Sequence, residues 1–86
     1  MHTTSPTLLG NYQHYKTGKL YEVIGIAHHS ETLEEMVIYK ALYHCDQFGS
    51  NHLWTRPKKM FFEELPYNGN IVPRFRYIIL KTAVEI

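Results

Sequence analysis

Apolar residues cluster most densely in the middle of the chain, in two runs parted by a short polar link. The first is Leu20–His29 (LYEVIGIAHH) and the second is Glu35–Tyr43 (EMVIYKALY). Both are rich in β-branched and aromatic residues, and the link Ser30–Glu34 is polar apart from Leu33. That pattern predicts a β-hairpin. A helix would have to carry Gly25 in mid-run among residues that disfavour helices. Strict alternation puts Tyr21, Val23, Gly25, Ala27 and His29 on one face. Leu20, Glu22, Ile24, Ile26 and His28 then share the other. Both faces are mostly apolar, as in a strand of a small closed barrel. Gly25 is expected to mark a bend or bulge.

The flanking pattern adds shorter elements. Leu8–Lys16 predicts a first strand, with Tyr12, His14 and Lys16 alternating against Asn11, Gln13 and Tyr15. Thr17-Gly18-Lys19 is a turn that uses glycine for a positive φ. His44–His52 reads as a loop by composition. Leu53-Trp54-Thr55-Arg56 is a short strand stopped by Pro57, which opens a single helical or 3₁₀ turn through Phe62. Asn68-Gly69 marks a tight turn. Ile71–Leu80 is a last strand, with Pro73 near its start suggesting an edge. No internal repeat stands out. The expected class is all-β: an SH3-like barrel of about five strands over residues 10–80, with a flexible segment at 1–9 and a tail at 81–86.

Composition sets bounds on this picture. With 86 residues the chain makes one domain, and its core must be economical. A formal net charge of +1 argues neither for nor against a polyanionic partner. One cysteine, Cys45, excludes an internal disulfide and suits a reducing compartment. No apolar run is long enough to span a bilayer, and no basic-then-apolar leader opens the chain. The expected setting is cytoplasmic, without membrane contact.

Several segments resemble one family. They are Tyr12–Lys16, Leu20–Thr32, Val37–Tyr43, Leu53–Pro57 with Met60-Phe61, and Val72–Phe75. Together they resemble the domain of unknown function 1653, a group of short bacterial proteins, over Gly10 to about Tyr77. The His29-Ser30-Glu31-Thr32 and Trp54-Thr55-Arg56-Pro57 pieces are its most specific part. The resemblance implies a bacterial, non-secreted domain and transfers no functional residue. The loop at His44–His52 is longer than the family's usual link.

Three groups carry candidate chemistry. At the hairpin tip His29, Ser30, Glu31 and Thr32 place an imidazole, a carboxylate and hydroxyls together. Glu31 against His29 would raise the imidazole pKa and suit acid–base work. The plainer reading is a turn whose hydroxyls bond backbone groups. His44, Cys45, Asp46 and His52 are metal-ligand types, but their spacing matches no zinc pattern. Aromatic and basic residues, among them Tyr15, Trp54, Arg56, Lys58, Arg74 and Arg76, could stack on bases and neutralise phosphates. The plainer reading makes Trp54 a largely buried core residue with its indole N–H hydrogen-bonded.

On this basis the sequence points to a non-catalytic module for a protein or peptide, using Tyr15, Tyr39, Tyr43 and Trp54. An RNA or single-stranded DNA binder using Arg56, Lys58, Arg74 and Arg76 is the second reading. A small-molecule binder or enzyme at the His29-Ser30-Glu31-Thr32 tip is the third. No catalytic residue, metal or cofactor is assigned, and a monomer or weak homodimer is expected.

Overall fold

The computed structural model describes residues 9–79. The segment expected at 1–9, save Leu9, and the tail at 81–86 lie outside the described residues. Five strands build the main sheet: β1 (Gly10–His14), β2 (Leu20–His28), β3 (Glu35–Ala41), β6 (Leu53–Pro57) and β9 (Phe75–Ile78). Two small hairpins complete the strands, β4 (His44–Cys45) with β5 (Gly49–Ser50), and β7 (Glu64–Tyr67) with β8 (Asn70–Pro73). One short helix, α1 (Lys58–Phe61), follows β6. The main sheet is antiparallel in the order β6-β3-β2-β1-β9, so the all-β class holds. Pairing among the described residues leaves β6 and β9 as edges and does not close a barrel.

The β2–β3 hairpin forms where the apolar pattern places it. Its register slips between Val23 and Gly25, so Ile24 is an extra residue, a bulge beside the glycine. The bulge also corrects the expected faces. Tyr21, Val23 and Ile26, not Ala27, point inward, opposite Ala41, Tyr39 and Val37. One extra residue reverses the alternation, which is why both nominal faces look apolar in sequence.

The core lies on the inner face of the main sheet and is mostly aromatic rings. Tyr12, Val23, Val37, Tyr39, Phe61 and Phe75 are buried together. Phe61 comes from α1 and stacks on Phe75 with ring centroids 4.2 Å apart. Gly10, at φ +132, lets the Tyr77 ring lie against the backbone, where a Cβ would come within 3.2 Å of the ring.

Two other segments depart from expectation. The loop at His44–His52 contains the β4–β5 hairpin, with Asn51 and Gly49 at positive φ. The expected last strand is two strands in different sheets, parted at Arg74. Pro73 cannot donate to a ladder. Arg74 then anchors the turn, its guanidinium donating to the Met60 carbonyl at 3.0 Å and to Glu63 at 2.8 Å. The Asn68-Gly69 turn is present, with both residues at positive φ.

Candidate functional site

The hairpin tip resolves into a turn. β2 ends at His28, and His29 accepts two backbone N–H bonds on Nδ1, from Glu31 at 3.1 Å and Thr32 at 3.3 Å. The Thr32 hydroxyl accepts from the Glu34 amide at 3.2 Å. No contact joins the His29 ring to the Glu31 carboxylate, so the expected acid–base pair is corrected to a backbone-capping histidine. The short link leaves Nδ1 nearest to main-chain donors, and those bonds form instead.

The same turn occurs twice. At the β1–β2 connection His14 Nδ1 accepts from the Lys16 and Thr17 amides, at 3.1 and 3.4 Å. Thr17 Oγ1 accepts from the Lys19 amide at 3.2 Å. The backbone closures also match: His14 N–H to the Lys19 carbonyl and His29 N–H to the Glu34 carbonyl, each flanked by a return bond from Gly18 or Leu33. Gly18 and Leu33 both hold positive φ, at 75° and 64°. The legible signal was His-x-x-Thr at 14–17 and again at 29–32, one turn unit used at opposite ends of β2. An Nδ1 that accepts two amides must be unprotonated, so the ring proton sits on Nε2 in both histidines. Burial, reinforced by Arg56, Arg74 and Lys16, holds the His14 pKa below the usual imidazole value.

The residues proposed for a peptide groove separate. Tyr39 is buried, and its hydroxyl accepts from Arg56 Nε at 3.3 Å. Tyr43 meets Tyr21 hydroxyl to hydroxyl at 2.7 Å, with the Lys19 ammonium 4.5 Å over its ring. Burial, then that hydrogen bond, raises the Tyr21 hydroxyl far above the ordinary phenol range. Tyr15 lies elsewhere, packed on His14 and edge-on to Tyr67. Arg56 reaches over the inner face, its guanidinium 5.8 Å from the Phe75 ring centre, so the side chains of the two edge strands approach each other.

Trp54 corrects a second expectation. It is 37% exposed rather than largely buried, and its indole N–H has no hydrogen bond among the described residues. It pairs with Tyr39 across β3 and β6 and so shares the inner face, but β6 is an edge and among the described residues no strand pairs with its far side. Phe48 and His52 join it: their rings stack at 4.4 Å, and each meets Trp54 edge-on, at 5.6 and 4.8 Å. Sequence reading missed Phe48 and His52 as partners because the β4–β5 hairpin that carries Phe48 looked like loop.

Among the described residues, one side of the β6 backbone has no strand partner. The Ala41 amide donates to the His52 carbonyl, which fixes the pairing phase. In that phase Trp54 and Arg56 bond inward to β3, while the Leu53 and Thr55 amides and carbonyls face outward. Pro57, opposite Met36, sits in the outward phase too, where its missing N–H costs nothing.

The cations do not form one open face. Arg74 pairs with Glu63 and Lys58 with Glu35 at 3.4 Å. Arg76 donates to Gln13 Oε1 at 2.6 Å. In the β4–β5 region His44 meets Asp46 and Ser50, while His52 is stacked on Phe48. No group of three His, Cys, Asp or Glu side chains among the described residues could hold a metal ion. No helix of the described residues is long and apolar enough to cross a membrane.

Hollows open on the surface of the described residues, and two of them concern the candidate groups. One, of about 370 Å³, lies between the hairpin tip and α1, where its lining charges Glu35 and Lys58 already pair. The other, of about 330 Å³, lies between the β1–β2 turn and the β7–β8 hairpin.

Comparison with known proteins gives one relationship. No functionally curated protein matches the chain. A crystal structure of a DUF1653-family protein from Bordetella bronchiseptica is similar, with 30% identity and a TM-score of 0.77. That match covers 95% of this chain and 100% of the other. A family model described as protein of unknown function (DUF1653) matches residues 10–77, the span that holds both His-x-x-Thr turns, the β6 edge and all of β9 but Ile78. The chain therefore belongs to the DUF1653 family.

Proposed function

We propose that the protein is a non-catalytic binding module that takes an extended peptide as an added strand along β6. The observation that carries this reading is Trp54, the sole tryptophan, 37% exposed on an edge strand. Large exposed aromatics on a free strand edge suit partner binding, because backbone bonds give affinity and a side-chain pocket gives selectivity. Here Leu53 and Thr55 supply the outward amides and carbonyls, and Trp54, Phe48 and His52 receive one apolar side chain of the peptide. The frame we infer is an SH3-like barrel left unclosed, supported by the five-stranded antiparallel sheet, the short helix and the reach of Arg56 to Phe75. A single unpaired thiol at Cys45 supports a reducing, cytoplasmic setting.

The other readings have less support. A nucleic-acid face would need Arg56, Lys58, Arg74 and Arg76 free, yet Lys58 and Arg74 are engaged by carboxylates. A reactive hairpin tip would need Glu31 against His29, whose Nδ1 is occupied by backbone amides instead.

The test is selection of a displayed random-peptide library on the immobilised protein. An enriched peptide is then titrated while Trp54 fluorescence is read, with calorimetry for the Trp54→Ala variant. The reading requires a saturating fluorescence change and at least tenfold weaker binding by Trp54→Ala, with folding retained by circular dichroism. No enriched peptide, or equal binding by the variant, would refute it. Sedimentation showing a tight dimer that Trp54→Ala dissolves would assign the edge to a second copy and refute it as well.

A further inference from the structure

The cleft between the β1–β2 turn and the β7–β8 hairpin has a different character from the β6 edge. Its volume is about 330 Å³, at the lower end of small-molecule pockets. Tyr15 and Tyr67 meet edge-to-face in its wall, with ring centres 5.1 Å apart, and Val72 and Pro73 add apolar surface. Arg76 also lines it. No carboxylate among the described residues pairs with Arg76, and none lines the cleft.

Arg76 is held in position rather than left mobile. One Nη2 hydrogen goes to Gln13 Oε1 at 2.6 Å, and the Gln13 Nε2 donates to the Gly18 carbonyl at 3.1 Å. The amide of Gln13 is thus oriented by the turn, and it in turn orients the guanidinium. Arginine has five N–H donors in a planar fork suited to carboxylate or phosphate. One is used, and four remain. His14 lines the same cleft, and because its Nδ1 accepts backbone amides its Nε2 carries a proton and is a donor. Burial first, then the charges of Arg56, Arg74 and Lys16, disfavour a charged His14.

We propose that this cleft binds a small organic oxyanion, a carboxylate or phosphate ester carried on a planar ring. The ring lies against Tyr15 and Tyr67, and the oxyanion meets the fork of Arg76. Positioned cations with aromatic walls and no competing carboxylate fit an anion with a flat apolar body better than a neutral or cationic ligand. Gln13 is a positioning residue that acts through Arg76.

The experiment is an amide-resolved NMR titration of the full chain with four probes: phenyl phosphate, benzoate, inorganic phosphate and the neutral benzamide. The proposal expects saturating shifts at Gln13, Gly18, Tyr67 and Arg76 with the two ring-bearing anions, and the tighter of the two identifies the headgroup. Inorganic phosphate should bind at least several-fold more weakly than phenyl phosphate. Arg76→Gln should weaken the ring anions at least tenfold, and Gln13→Ala several-fold. Arg76→Lys, which keeps charge but loses the fork, should fall between wild type and Arg76→Gln. Failure of both ring anions to saturate, an equal response to benzamide, or affinity unchanged in Arg76→Gln with a native spectrum would overturn it. Trp54→Ala leaves this site intact, so loss of the peptide-binding reading and loss of this one are separately visible.

Discussion

Replacing Phe61 by alanine tests how a four-residue helix can matter to the whole fold. Nothing local stabilises α1. It lacks a side-chain cap and carries no acidic residue in its first turn, and with only four residues its first and last turns coincide, so the dipole gives Lys58 and Lys59 no clear advantage. A helix of one turn is unstable alone, so tertiary packing must hold it. Phe61 is fully buried, stacked on Phe75 at 4.2 Å and edge-on to Tyr12 and Tyr39 at 5.3 and 5.1 Å. Truncating such a ring costs about 3–5 kcal/mol, because transfer energy is lost and a cavity remains. A domain of this size is stable by only about 4–13 kcal/mol. Urea melts followed by circular dichroism should therefore move the midpoint down by about 2 M or more, at an m-value of about 1.5 kcal/mol/M. Lys59→Ala, exposed on the same turn, should cost under about 0.5 kcal/mol. If Phe61→Ala stayed within about 1 kcal/mol of wild type, the helix would not close the inner face of the sheet and the core as described would be wrong.

Three further outcomes follow from local geometry. Gly10→Ala should cost about 1 kcal/mol or more in the same melts, since alanine would take φ +132 with its Cβ 3.2 Å from the Tyr77 ring; a neutral result would contradict that contact. His29→Ala should cost about 0.5–1.5 kcal/mol by freeing two backbone amides, while His29→Asn should recover most of it because its carbonyl can accept the same bonds; equal losses would remove the capping role. His14 has its pKa lowered by folding, so the unfolded chain binds the proton more tightly and stability rises with pH in this window. The contribution is complete above about pH 6.5, the unfolded value, and is lost as pH falls from there toward the lower folded value. His14→Asn should flatten that part of the stability–pH curve, and an unchanged slope would refute the assignment.

Much of the fold was readable in the sequence where one residue type has one job. Asn68-Gly69 supplied the positive φ of a two-residue turn and Gly25 flagged the bulge, while Pro57 marked the helical turn one residue early, ending β6 as the N-cap instead of opening α1. What the bulge did to the far half of β2 was not readable, because an inserted residue is invisible to a count of alternating positions. Trp54 misled for a related reason. Its neighbours Leu53 and Thr55 make a strand, but a strand's place at the sheet edge depends on pairing among distant segments, and exposure follows from that place. The His29 tip was legible as a turn. That Nδ1 would choose amides over Glu31 became plain only beside the matching bonds of His14. Tyr15 and Arg76 are 61 residues apart in the chain (76 − 15) and share a cleft only through the β1–β9 pairing.

The claim that β6 is the binding edge rests on which of its amides are free, and amide hydrogen exchange reads them individually. In the unliganded protein Leu53 and Thr55 should exchange quickly, while Trp54 and Arg56, bonded inward to β3, are protected. Saturation with a selected peptide should slow Leu53 and Thr55 by at least tenfold and shift the Trp54 indole resonance. Protection appearing elsewhere on the sheet, with Leu53 and Thr55 exchanging as before, would contradict the account.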